Sequence, residues 1–129
     1  MRAALLVCLV LLSGCKKRPQ PTLPQIPDSS QMAGGGNQEL PEATVFHTMY
    51  RYTGHSPAVF GFYAAEMEKR GARRVGETYA DDNLEHSGEF GSNGVATPKD
   101  PTKSGVWIGV QEVPDATYID VWESVPKPQ

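Results

Sequence analysis

Asp81, Asp82, Asn83, Glu85 and His86 are the densest run of chemistry-bearing side chains in the sequence. Carboxylates beside an imidazole could hold a divalent cation, and a metal-dependent hydrolase could be built around Asp81, Asp82, Glu85 and His86. The spacing matches neither an EF-hand loop nor a zinc signature, and a turn rich in Asp and Asn is expected between strands in any case. His47 and His55 have no serine or cysteine nucleophile arranged around them, although Ser87 and Ser104 remain available hydroxyls. No glycine-rich phosphate loop follows a strand: Gly34-Gly35-Gly36 sits among Gln, Ser and Asn, and Gly91-Ser92-Asn93-Gly94 opens no helix pattern. No cofactor and no metal are implied. The expectation is a protein that is not an enzyme.

The elements that would position such residues are legible downstream of Pro41. From Thr44 to Tyr52, Phe46, Thr48, Tyr50 and Tyr52 alternate with Val45, His47, Met49 and Arg51, which is a strand pattern. Ser56 suits an N-cap and Pro57 a first helical position; Val59, Phe60, Tyr63, Ala64 and Met67 then recur at helical spacing until Gly71 ends the run. Gly61 interrupts that helix, and the expected reason is close packing of a neighbouring backbone or of Phe62. Arg73 to Tyr79 and Leu84 to Phe90 read as two short strands joined by a turn at Asp81-Asp82-Asn83. Gly91 to Ser104 reads as a long loop. Val106 to Val113 and Tyr118 to Val125 read as a hairpin turning at Pro114-Asp115-Ala116-Thr117, with Val113 opposite Tyr118 and Gly109 opposite Trp122. The fold class is α+β: one helix on a small curled antiparallel sheet, in the order β-α-β-β-β-β.

Both faces of that hairpin are apolar. Val106, Ile108, Val110, Ile119, Val121 and Val125 form an aliphatic face that suits the helix stripe, while Trp107, Val113, Tyr118 and Trp122 lie opposite. A single helix covers one face only. Either the 91–104 loop or a curled sheet edge folds over the aromatic face, or Trp107, Val113, Tyr118 and Trp122 form a partner surface, since large exposed apolar patches mark binding sites.

The amino-terminal segment supplies an address. An apolar run from Ala3 to Leu12 follows Met1-Arg2 and is far shorter than the roughly 20 residues of a membrane-spanning helix. It closes on Leu12-Ser13-Gly14-Cys15, which resembles the lipobox of bacterial lipoproteins. The resemblance implies a signal peptide over 1–14, cleavage before Cys15, and acyl chains, palmitate among them, on Cys15. Lys16 after the cysteine implies outer-membrane sorting. Two or three acyl chains anchor a protein to a membrane almost permanently, at about 0.8 kcal/mol per buried methylene. Cys8 falls in the discarded segment, so the mature chain would hold no free thiol, no disulfide and no thiolate metal site.

Residues 15–40 would be the lipidated cysteine and a disordered Pro/Gly-rich tether, extended enough to hold a domain some tens of ångströms off the bilayer. Residues 41–129 are the length of one small domain. From Pro41 to Pro126 there are seven Lys/Arg against thirteen Asp/Glu, so nucleic acid is an unsuitable partner. Ser56-Pro57, Phe62-Tyr63, Glu66-Met67-Glu68 and Gly71 together resemble a small α+β domain of bacterial envelope lipoproteins, in which a Ser-Pro-x-x-Val/Ile-x-x-Phe-Tyr helix precedes curled antiparallel strands. Ala72, where that pattern carries a bulky aromatic, and the length of the 91–104 loop depart from it. The expected function is therefore a lipid-anchored envelope protein, bound to the membrane through Cys15, whose domain binds another envelope component. The alternative is a small envelope hydrolase or metal-dependent enzyme using the Asp81–His86 cluster.

Overall fold

Strands that are apolar on both sides must be covered on both sides, and this requirement organises the molecule. The computed structural model describes residues 18–33 and 35–128. The expected signal segment and Cys15 lie outside the described residues. The strands are β1 (Ser29–Gln31), β2 (Gly36–Glu39), β3 (Ala43–Tyr52), β4 (Arg73–Val75), β5 (Thr78–Ala80), β6 (Leu84–Ser87), β7 (Val95–Pro98), β8 (Gly105–Val113) and β9 (Ala116–Pro126); the helix α1 (Ser56–Lys69) follows β3. The main sheet runs β1-β3-β9-β8-β5-β4, with β2 also pairing β3, and β6-β7 forms a separate two-stranded sheet. Every pairing is antiparallel. The α+β class therefore holds, while the strand order is richer than β-α-β-β-β-β.

The centre is β3-β9-β8. β3 pairs with β9 over its whole length, from Ala43 opposite Pro126 to Tyr52 opposite Thr117. β8 and β9 meet at Val113 opposite Ala116, so the turn is Pro114-Asp115 alone. This corrects the expected four-residue turn. Shifting the pairing by two residues keeps every side chain on its expected face, because sheet faces alternate with period two, but it changes the partners. Trp107 now faces Trp122, and Gly109 faces Asp120. A large ring does lie over Gly109, but it is Trp107 of the same strand.

On the aliphatic face, Val59, Phe60, Tyr63 and Met67 of α1 join Val106, Ile108, Val110, Ile119 and Val121 in one core. The Tyr79 hydroxyl donates to the Phe60 carbonyl at 3.2 Å, tying β5 to the helix. α1 ends in a Schellman arrangement: Ala72 N–H donates to the Met67 carbonyl, Gly71 N–H to that of Glu68, and Gly71 takes φ 74°. Its start differs from expectation. His55, not Ser56, is the N-cap and makes no side-chain cap bond. The orphan Ser56 N–H instead donates to Glu112 Oε1 at 2.6 Å, so β8 caps the helix across the fold. That bond holds the Glu112 carboxyl below the usual carboxylate range. Gly61 is also corrected: it is exposed, and an added Cβ would meet nothing within 4 Å.

The described part of the expected 15–40 tether is corrected most. Ile26 is 4% exposed within the helix-side core, and Leu23 packs against that core. Tyr63 Oη donates to the Pro24 carbonyl at 2.8 Å, and β1 and β2 pair with opposite halves of β3. A clip fixes the start of this arm. Glu123, only 2% exposed, accepts the Thr22 and Leu23 amides on Oε1 at 2.8 and 3.1 Å, and the Thr22 hydroxyl and Arg70 Nη1 on Oε2. A buried carboxylate is tolerable only when charge-paired and hydrogen-bonded in this way. Residues 22–33 and 35–39 are thus part of the domain, not a spacer before it.

The remaining differences lie over the other face. The Arg73–Tyr79 span is a small hairpin of its own, β4-β5, folding back at Gly76 with φ 61°. Leu84 to Ser87 pairs not with it but with Val95–Pro98 inside the expected loop. Two substitutions separate the observed fold from a disordered arm and a packed helix glycine. Ile26→Ala should cost about 2–4 kcal/mol in urea unfolding, and Gly61→Ala should gain about 0.5–1 kcal/mol. An arm outside the fold would leave the first change silent.

Candidate binding cleft

The aromatic face is covered, and its cover defines the site. β6 and β7 lie over β8 and β9, and Leu84 and Ala96 join Val45 and Trp122 in a second core flanked by Leu40 and Trp107. The His86 ring stacks on Trp107 at 3.7 Å and meets Trp122 edge-on at 5.7 Å. His47, from β3, stacks on Trp122 at 3.7 Å. Two imidazoles and two indoles thus form a continuous aromatic layer between the sheet and the hairpin. Phe90 approaches Gly109 beside Trp107, in the room the glycine leaves.

Asp120 locks this layer. It is fully buried in the middle of β9; one carboxylate oxygen pairs with His47 Nε2 and the other accepts the Gly91 N–H at 2.8 Å. One buried carboxylate therefore holds both the ring on β3 and the loop between β6 and β7. Gly91 sits at φ 93°, and a Cβ there would press on the Met49 methyl at 3.3 Å. Gly94 has even less room, since an added Cβ would lie 2.6 Å from His86 Nε2. His86 Nε2 and Trp122 Nε1 are buried with no hydrogen-bond partner among the described residues. Burial of the His86 ring lowers its pKa below the ordinary histidine value, outweighing the opposing pull of Asp120.

Where the hairpin stops short of β2, a cleft of about 240 Å³ opens. Val45, His47 and Trp122 line it, together with Gly35, Gly36, Asn37 and Gln38 on one side and Gly94 and Val95 on the other. All of β2 is exposed, and it pairs with β3 alone, so one edge of its backbone is unpaired within the main sheet. Val95 on β7 is 50% exposed. Gly36, where an added Cβ would meet nothing within 4 Å, leaves open space on the β2 wall, and Asn37 and Gln38 add amide donors and acceptors. This arrangement suits recognition of an extended, hydrogen-bonding ligand.

The expected partner surface is divided by the fold. Trp122 is 7% exposed and belongs to the second core, and Trp107 is half-buried under His86. Val113 and Tyr118 are half-buried farther along the face, Tyr118 opposite Arg51 and Gln111. The four do not form one open patch, and only Trp122 reaches the cleft. The reason is the β6-β7 hairpin, which turn-rich residues concealed.

The Asp81–His86 cluster is not assembled either. Asp81 Oδ1 accepts the Asn83 and Leu84 amides at 3.0 and 2.9 Å, and Oδ2 accepts the Val106 amide at 3.1 Å, so this carboxylate is committed to backbone. Asp82 is exposed, Glu85 faces Lys99 at 3.7 Å, and His86 turns to the indoles. Among the described residues no three His, Cys, Asp or Glu side chains are placed to hold a metal. His55 is exposed beside Glu112, and Ser87 and Ser104 are exposed. His47 and Asp120 carry the site and were missed as a pair, although a lone carboxylate between Ile119 and Val121 was a visible sign. Comparison with family models, with curated proteins and with solved structures found no match.

The lowered His86 pKa sets a pH dependence. The folded state favours the neutral ring, so the His86 contribution is complete above about pH 6.5 and is lost as pH falls from there through the lower folded-state value. Exposed carboxylates with lowered pKa, such as Glu39, which Lys127 holds down, lose theirs only nearer the carboxylate range. His86→Phe keeps an aromatic ring over Trp107 and should flatten the decline in unfolding free energy between pH 7 and 5. An unchanged pH profile would contradict a desolvated His86.

Proposed function

We propose that this chain is a lipid-anchored protein of the bacterial envelope, acylated at Cys15, and that its domain is a non-enzymatic binding module. The working surface is the cleft between β2 and β7, and its ligand is an extended segment of another envelope protein. The observation that carries this reading is the cleft itself, with an unpaired strand edge and glycine-lined walls around the His47–Trp122 stack. Extended peptides bind sheet edges through main-chain hydrogen bonds, with alternate side chains read by neighbouring pockets. The committed Asp81 and the scattered Asp82, Glu85 and His86 favour binding over metal-dependent hydrolysis. Leu12-Ser13-Gly14-Cys15 supports the anchor, and among the described residues no helix is long and apolar enough to cross a membrane. Lys16 after the cysteine favours the outer membrane.

Gly36 offers a clean test, because an added Cβ there meets nothing within 4 Å. A photo-crosslinking side chain at position 36 or 95 should capture the same envelope protein in cells. The same group at Val75, 77% exposed on β4, should not. Cys15→Ser should release the protein from the membrane fraction. Equal capture from position 75, or a Cys15→Ser protein that stays on the membrane, would overturn the corresponding half of the proposal.

A further inference from the structure

The clip at Glu123 changes where an anchored domain must stand, and this inference rests on the proposed acylation of Cys15. Thr22 is held by Glu123 and Arg70: the Thr22 amide and hydroxyl bond the carboxylate, and Arg70 Nη2 donates to Thr22 Oγ1 at 2.7 Å. Only residues 16–21 lie between Cys15 and this fixed point, a reach of at most about 25 Å for a fully extended chain. Arg18, Pro19 and Gln20 shorten it further, since they line a groove with Thr44, Phe46 and Lys127 on the same end of the sheet. We infer that the end of the domain formed by the carboxyl ends of α1 and β9 and the start of β3 is a membrane-facing surface, held directly against the headgroups of the bilayer.

The two ends of the domain carry different charged groups. At the clipped end lie exposed Arg18 and Lys69, and half-buried Lys127 at the end of β9. Of the acids there, Glu123 is buried in the clip, Glu66 pairs with Arg70 at 2.8 Å and Glu39 with Lys127 at 2.9 Å, while Glu42 and Glu68 are exposed. At the opposite end stand Asp28 before β1, Glu77 between β4 and β5, and Glu112 and Asp115 around the β8-β9 turn, all exposed. The short link sets which end meets the bilayer, and exposed Arg18 and Lys69 there each add about 1 kcal/mol of attraction to an anionic surface. β9, with 11 residues, separates the two ends by roughly 35 Å. Val45 and Trp122 of the cleft lie only a few residues from the clipped end of their strands, so the cleft is presented close to the membrane surface.

The chain's own cysteine content makes the test simple, since in the acylated mature chain an engineered cysteine is the one free thiol. The full-length acylated protein is labelled with a small fluorophore at Lys69→Cys or at Asp115→Cys. Each is reconstituted into phosphatidylethanolamine/phosphatidylglycerol vesicles carrying a nitroxide on the headgroup. Quenching at position 69 should exceed that at 115 at least twofold. A 20-residue Gly/Ser insertion between Lys17 and Arg18, ahead of both the groove-lining residues and the clip, should bring the ratio towards one. Equal quenching without the insertion, or a ratio that the insertion leaves unchanged, would overturn the apposed orientation. The anchor reading fails separately, if the protein floats with vesicles no better than its Cys15→Ser variant.

Discussion

β9 is buried on both faces along nearly its whole length, and the architecture answers that one constraint. A strand of this kind between β3 and β8 needs two covers, and the chain supplies them from different places. α1 and the 22–31 arm close over Ile119 and Val121, while β6-β7 closes over Trp122. Burying a large apolar side chain is worth about 1.5–3 kcal/mol, so leaving either face open would forfeit much of a small domain's net stability. The two carboxylates set into β9 are tolerable because each ties a cover down. Glu123 binds the arm and Asp120 binds Gly91 of the hairpin loop.

The two carboxylates also shape the proposed binding surface. Asp120 fixes His47 against Trp122 and sets the position of the Gly91–Gly94 loop, and the cleft opens where that loop and β2 fail to meet. Glu123 shortens the link to the amino terminus, so under the proposed acylation the same clip places the cleft near the bilayer. The proposed binding surface and orientation thus both rest on charges buried in a single strand.

Legibility in the sequence followed the strength of local pattern. The alternation in β3, the stripe of Val59, Phe60, Tyr63 and Met67, and the two faces of β8-β9 were all readable, because each signal repeats several times within one element. The hairpin register was not, since Pro114, Asp115, Ala116 and Thr117 are all acceptable turn residues, and only tertiary burial of Ala116 and Thr117 selects the shorter turn. The arm hid itself through composition: Ile26 is one apolar residue among prolines and polar residues, and Glu123, which binds Thr22 and Leu23, lies about 100 positions away. β7 was lost inside a Gly-, Ser- and Pro-rich stretch, and with it the answer to what covers Trp122. His47 and Asp120 belong to separate strands whose pairing brings them together, which no local spacing reports.

The most direct test of the two-cover account is a nuclear Overhauser spectrum of the folded protein at neutral pH. It should contain cross-peaks from the His86 ring to Trp107 and Trp122, from the His47 ring to Trp122, and from the Tyr63 ring to residues 24–26. A spectrum in which the His86 ring shows no contact to either indole, or in which residues 24–26 show none to Tyr63, would contradict it.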